Sequence, residues 1–141
     1  GEMSGLGAFL ETVKIYREES VCEHLWEYGE RLKKGFEDIC HSLDVDEYFS
    51  LEGPAICQNY KALGPNGEAS LEFRTLFSQE MIKQGVIMPW ISVSLAHGDV
   101  ELQKTLSAAE RSLEIYKKAL RRGVDNYLEG SPVKPVFRKF N

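Results

Sequence analysis

The run LEFRTLFSQEMIKQGVIMPWISVSLAHGDVELQKTLSAAERSLEIYKKAL, from Leu71 to Leu120, decides the fold. Phe73, Leu76, Phe77 and Met81 recur at helical spacing, while Arg74, Glu80 and Lys83 are left to face water. Gly85 follows the last periodic residue, where a left-handed cap suits a residue with no Cβ to clash. Val86 to Met88 and Ile91 to Leu95 then read as two short strands, broken by Pro89, which has no N–H for a ladder. Asp99 is placed to cap the next helix, whose stripe is Leu102, Leu106, Ala109, Leu113, Tyr116 and Leu120. Helix, two strands and helix make half of a small α+β domain. Any chemistry belongs at its turns.

Upstream, Gly64-Pro65-Asn66-Gly67 is a loop with two turn signals. Tyr48 to Glu52 and Ala55 to Leu63 have strand composition and are joined through Gly53-Pro54. With the two strands beyond them they predict a sheet of three or four mostly antiparallel strands, covered by helices on one face. Ser20 and Glu23 have the spacing of a capping box, in which each side chain satisfies a free backbone N–H. Behind them Cys22, Leu25, Trp26, Gly29, Leu32, Phe36, Ile39, Cys40 and Leu43 hold one face for about six turns. Gly29 and Gly35 each weaken that helix by about 1 kcal/mol relative to Ala, and close packing is the usual reason for glycine there.

Leu6, Phe9, Leu10 and Val13 form a further stripe that begins almost at residue one. An element that opens in this way reads as a piece of a longer chain, with Gly1 to Ser4 either native or a cloning remnant. After Gly123 the tail GVDNYLEGSPVKPVFRKFN has two prolines and little periodicity. It predicts an extended arm with Val136, Phe137 and Phe140 as anchors. Neither an internal repeat nor a low-complexity run is present.

The 141 residues make one domain's worth of chain, enough to bury about two-thirds of its unfolded surface. With 43% hydrophobic and 28% charged residues the composition is that of a globular protein. No apolar run approaches the roughly 20 residues that span a bilayer, and the N-terminus lacks the shape of a signal peptide. The expectation is a soluble, cytoplasmic protein. A net charge of -5 argues against nonspecific binding to nucleic acid. The three cysteines give no disulfide framework: Cys22 and Cys40 on one helix would stand about 27 Å apart. They read as reduced core or half-buried thiols.

Among the histidines, His24 and His41 read as parts of a solvated helix face, whereas His97 lies in a turn between a strand end and a helix start. His97-Gly98-Asp99 has no second cluster to make a metal site with, and a turn whose Asp caps a helix accounts for it. No phosphate-binding Gly-rich loop, G-x-S-x-G, H-E-x-x-H or C-x-x-C occurs. Arg121, Arg122, Lys134, Arg138 and Lys139 form a modest basic cluster, of the kind that complements a helix C-terminus. Aromatic residues are not interleaved with it as a nucleic-acid platform requires. Trp90 either lines a pocket or fills the core. Composition and spacing alone stop at an α+β domain without a self-sufficient active site.

Glu80-Met81 with Gly85-Val86, then Ser94-Leu95-Ala96-His97, then Lys104-Thr105-Leu106-Ser107-Ala108 stand in that order along the chain. Together they resemble the C-terminal domain of class III pyridoxal-phosphate aminotransferases, close to glutamate-1-semialdehyde aminomutase. The opening GEMSGLGAFLETVKIYREESVCEHLWEYGERLKKGF resembles the helix that leaves the cofactor domain of these enzymes. The closing PVKPVFRKFN is similar to members encoded with surface-polysaccharide genes.

The resemblance implies a parent enzyme with pyridoxal phosphate as electron sink, bound through a lysine that precedes Gly1. It implies residues 1–20 as an interdomain helix, 21–123 as the small domain and 124–141 as the arm. On that basis this chain holds no catalytic, cofactor-binding or metal-binding residue, binds no cofactor itself and is inactive alone. The phosphate-binding Thr that the family carries just before the Gly1-Glu2 turn is not present. The matching cleft segment is Met88 to Ser94, with Trp90 and Ser92 as residues reaching toward substrate. His97, at a family motif, is a third cleft candidate that holds the turn. The parent would act on an amino-group donor and acceptor and form a homodimer, without nucleic acid or membrane. Substrate identity, and mutase as against transaminase chemistry, stay open. The alternative reading is an independent α+β module, either docking a partner through its tail or long helix or binding a small regulatory ligand.

Overall fold

The structure, a computed structural model, describes residues 2–134. Four helices and one hairpin follow in chain order: α1 (Met3–Glu18), α2 (Val21–Ser42), β1 (Phe49–Glu52), β2 (Asn59–Ala62), α3 (Leu71–Lys83) and α4 (Asp99–Arg122). The architecture is α+β, with α2 packed on β1, α3 on β2, and α4 on both of these helices. β1 and β2 pair antiparallel, Phe49 opposite Ala62 and Leu51 opposite Tyr60.

The sheet has two strands among the described residues, not the expected three or four. Residues 86–95 join no ladder, and the chain bends at 89–90 and turns at 95. Their buried residues are Met88 and Ile91, with Ile87 and Trp90 facing out, so burial recurs every third residue and the strand alternation is broken. Pro89 is the cause at that point. Its carbonyl is met by side chains instead of a neighbouring strand.

Helix ends also depart from expectation. Ser20 adopts a left-handed conformation (φ 49, ψ 40) and makes no side-chain cap. It turns the chain between α1 and α2. Asp99 is the first residue of α4 and not its cap, since the Gly98 N–H is satisfied by the Glu101 carboxylate at 2.9 Å. Asp99 is drawn instead to Arg31 at 2.6 Å. Ser70 is the true side-chain cap, its Oγ accepting the Phe73 N–H at 3.2 Å. Gly85 has the left-handed φ (76) expected after α3.

The core is aromatic. Phe77 and Phe49 lie 4.5 Å apart between ring centroids, with Tyr60, Phe36 and Tyr116 around them. The Tyr116 hydroxyl donates to the Leu63 carbonyl at 2.6 Å and to the Tyr48 carbonyl at 3.2 Å, which ties α4 to the open end of the hairpin, where the two strands begin and finish. On α2 the buried face is Val21, Tyr28, Gly29, Leu32, Phe36 and Cys40, whereas Cys22 and Trp26 of the expected stripe are exposed. Glu80, expected in water, is buried and bound by Lys83 at 2.7 Å and Gln79 at 2.8 Å. α1 buries none of its residues, and its Leu6, Phe9 and Leu10 stripe faces outward. After a short 3₁₀ helix (Val124–Asn126) the tail turns back along α3, where Thr75 Oγ1 accepts the Val133 N–H at 2.9 Å. Val136, Phe137 and Phe140 lie outside the described residues.

Cys40 is buried as expected, but Cys22 and Cys57 are exposed. Burial, helped by Asp46 and Glu37, pushes the Cys40 thiol from its ordinary 9.0 up to about 12. The folded chain therefore holds that proton more tightly than the unfolded chain does. Its stabilising share is complete below pH 9.0 and is lost as pH rises toward about 12. A chemical-denaturation midpoint measured across this range should fall steadily. A Cys40→Ala variant should show a shallower fall, and an equal slope would refute the assignment.

Candidate functional site

The segment from Gly85 to Val93 arches over the first turns of α4 and the middle of α2, enclosing a cleft of about 400 Å³. Met88 and Ile91 peg this arch into the core at both sides of Pro89. Between the pegs Trp90 stands 71% exposed at the rim, where a core tryptophan would be covered. Trp90 therefore does not fill the core. Trp90, Ser92 and His97 all line this one cleft.

His97 is held from two directions. Its Nδ1 accepts the Ser94 N–H at 3.2 Å, and its carbonyl accepts from His24 Nε2 at 3.0 Å. A neutral His97 must then carry its proton on Nε2. The His97 ring lies 5.6 Å from Tyr28, which lies 6.2 Å from His24. His24 thus braces the turn and does not belong to a solvated face. His41 is the one that stands exposed, 3.7 Å from Asp46.

The opposite wall comes from helix faces: Tyr28 of α2 and Glu101 of α4, which the sequence did not single out, with Lys104 and Thr105 from the start of the motif that runs from Lys104 to Ala108. Burial raises the Tyr28 phenol above its ordinary range, with the Glu101 carboxylate adding to it and Arg31 opposing it. Glu101 is lowered, first by the Gly98 N–H and then by its own backbone N–H. One signal pointed here: His24 and Tyr28 are four apart and so share a helix face.

Ser92 has no base hydrogen-bonded to it among the described residues, and no group of three metal-ligating side chains occurs among them. Nor do the cleft residues make a pyridoxal-phosphate site unaided. Lys104 is an exposed residue of α4, and Glu101, the cleft's carboxylate, is committed to the Gly98 N–H. One apolar wall and a few polar groups are what a small-molecule cleft needs on one side. The basic cluster is separate: Arg121 and Arg122 are exposed at the end of α4, and Lys117 pairs with Asp44 at 3.2 Å. Lys134 is also exposed, and Arg138 and Lys139 lie outside the described residues.

No family model matches the chain. It is 26% identical to a glutamate-1-semialdehyde 2,1-aminomutase of Alkaliphilus metalliredigens (strain QYMF), over 71% of this chain and 25% of that protein. It also superposes with a TM-score of 0.63 on a structure of the PLP internal aldimine form of the FumI protein of Sphingopyxis sp. MTA144. There the identity is 25%, over 79% of this chain and 26% of the other. The chain spans about a quarter of the length of each protein it matches.

Proposed function

We propose that this chain is the small C-terminal domain of a pyridoxal-phosphate-dependent class III aminotransferase or aminomutase, and that its cleft is one wall of the substrate site. The observation that carries the reading is the open apolar rim at Trp90 and Ile87, 71% and 82% exposed, on a stretch that matches such enzymes in order. An apolar wall with one side missing is what a domain presents when a second body completes the cleft. The similarity to an aminomutase and to a PLP-bearing protein over a quarter of their lengths supports the same assignment.

In this reading residues 1–20 form the interdomain helix. α1, with Met3, Leu6, Phe9 and Leu10 all more than half exposed, has the apolar face that such a contact would cover. Residues 21–123 are the small domain and 124–141 the arm, whose closing PVKPVFRKFN suggests the polysaccharide-gene type. The cofactor, held by the rest of the parent, would supply the electron sink. This chain's share is to bind and orient. Trp90 offers a flat apolar face, Ser92 a hydroxyl, and His97 fixes the turn behind them. A homodimeric, cytoplasmic parent acting on an amino donor and acceptor belongs to the same proposal, as does inactivity of the chain alone.

The test is absorbance. The longer gene product, purified with pyridoxal phosphate, should show a protein-bound cofactor band at the edge of the visible, and the 141-residue chain should show none. A band formed by the chain alone, or a longer product that binds no cofactor, would overturn the proposal.

A further inference from the structure

We infer that Arg74 and Tyr60 are positioning residues which together set the direction of Trp90 by holding the Pro89 carbonyl. The pyrrolidine ring fixes φ of Pro89, so ψ is the soft torsion left between the peg at Met88 and the exposed Trp90. The direction of the Pro89 carbonyl reports that torsion. Two donors reach this oxygen, Arg74 Nη2 and the Tyr60 hydroxyl, each at 3.4 Å.

Both contacts are long, but both donors are independently fixed. Arg74 Nη1 donates to the Tyr60 carbonyl at 2.9 Å, and Nη2 also reaches Asn59 Oδ1 at 3.2 Å. Its guanidinium lies 4.1 Å over the Tyr60 ring. Tyr60 is 2% exposed and its hydroxyl meets Ser78 Oγ at 2.9 Å. The planar fork makes several bonds at once, which an ammonium cannot do. Hairpin and α3 therefore jointly hold a proline peptide that no strand pairs with, and the cleft wall inherits their rigidity. This deepens the proposed function and rests on it only for what Trp90 faces.

The readout is the order of Trp90 itself, so failure of the proposed function and failure of this inference are separate results. The chain has two tryptophans, and Trp26→Phe leaves Trp90 as the sole probe for time-resolved fluorescence anisotropy. In that background Arg74→Gln and Tyr60→Phe should each raise the amplitude of fast local rotation, roughly doubling it when combined. Arg74→Lys, which keeps a cation over the ring, should restore the melting temperature more than it restores the order of Trp90. Lys83→Gln, on the same helix as Arg74, removes ion pairs with Glu80 and with Glu129 of the tail. It should lower the melting temperature and leave the anisotropy decay unchanged. Unchanged decay in Arg74→Gln and Tyr60→Phe, or an equal rise in Lys83→Gln, would overturn the inference.

Discussion

Gly29→Ala should destabilise the chain by about 3 kcal/mol, the upper end of ordinary overpacking. In an uncrowded helix the same change gains about 1 kcal/mol, so the expected sign is reversed. A Cβ built on Gly29 would lie 2.1 Å from the Ala55 carbonyl oxygen and 2.6 Å from its carbon. These are backbone atoms and cannot rotate away. Either α2 or the 53–58 loop must shift, and the Gln58 amide that bridges the two, donating to Gly29 at 2.7 Å and Ala55 at 2.8 Å, would be pulled apart. Gln58 is 3% exposed, so a broken bond there leaves a buried donor without a partner. Gly35→Ala meets the flexible end of Leu106 and should cost less. Gly7→Ala on α1 meets nothing within 4 Å and should be neutral or stabilising. Denaturant titrations followed by circular dichroism compare the three, and a Gly29→Ala midpoint at or above wild type would refute this account.

That glycine also shows how much could be read beforehand. Its position in a helix pointed to close packing, but its partner, Ala55, comes from a loop whose place no local pattern encodes. α3 and α4 were legible because their apolar residues recur at the helix period over many turns, and Gly85 because a left-handed cap suits one residue type. Residues 86–95 were not, since a short apolar run has the same composition whether it pairs in a sheet or merely packs. Glu80 was misplaced for a related reason. A charged residue on a helix reads as solvated unless its partners, here Lys83 and Gln79, are known to enclose it. In the cleft, family resemblance brought forward Trp90, Ser92 and His97. Tyr28 and Glu101 escaped, and Lys104 was quoted without being placed in the cleft, because each arrives on a helix whose packing angle the sequence does not state.

The largest loss of stability is expected at Phe77, which is fully buried. Phe77→Ala should cost about 4 kcal/mol, transfer and cavity terms together. A two-stranded hairpin is marginal in water by itself. Here β1 and β2 are kept in place by what stands on their inner face: Phe49 at 4.5 Å and Tyr60 at 5.1 Å from the Phe77 ring. Phe36 approaches the same ring from α2 at 6.3 Å. Removing the ring thus opens a cavity where α2, α3 and the hairpin meet, and no single side chain can refill it. The loss would be a large part of the 5–15 kcal/mol that a domain ordinarily has. Phe77→Leu keeps most of the volume and should cost less than half as much. Because Tyr60 also holds the Pro89 carbonyl, Phe77→Ala should loosen Trp90 before the chain unfolds globally. In the Trp26→Phe background, urea unfolding followed by circular dichroism and by Trp90 emission would then give two midpoints with Phe77→Ala and one without it. A loss below about 1 kcal/mol would mean that the aromatic cluster is not what holds the hairpin.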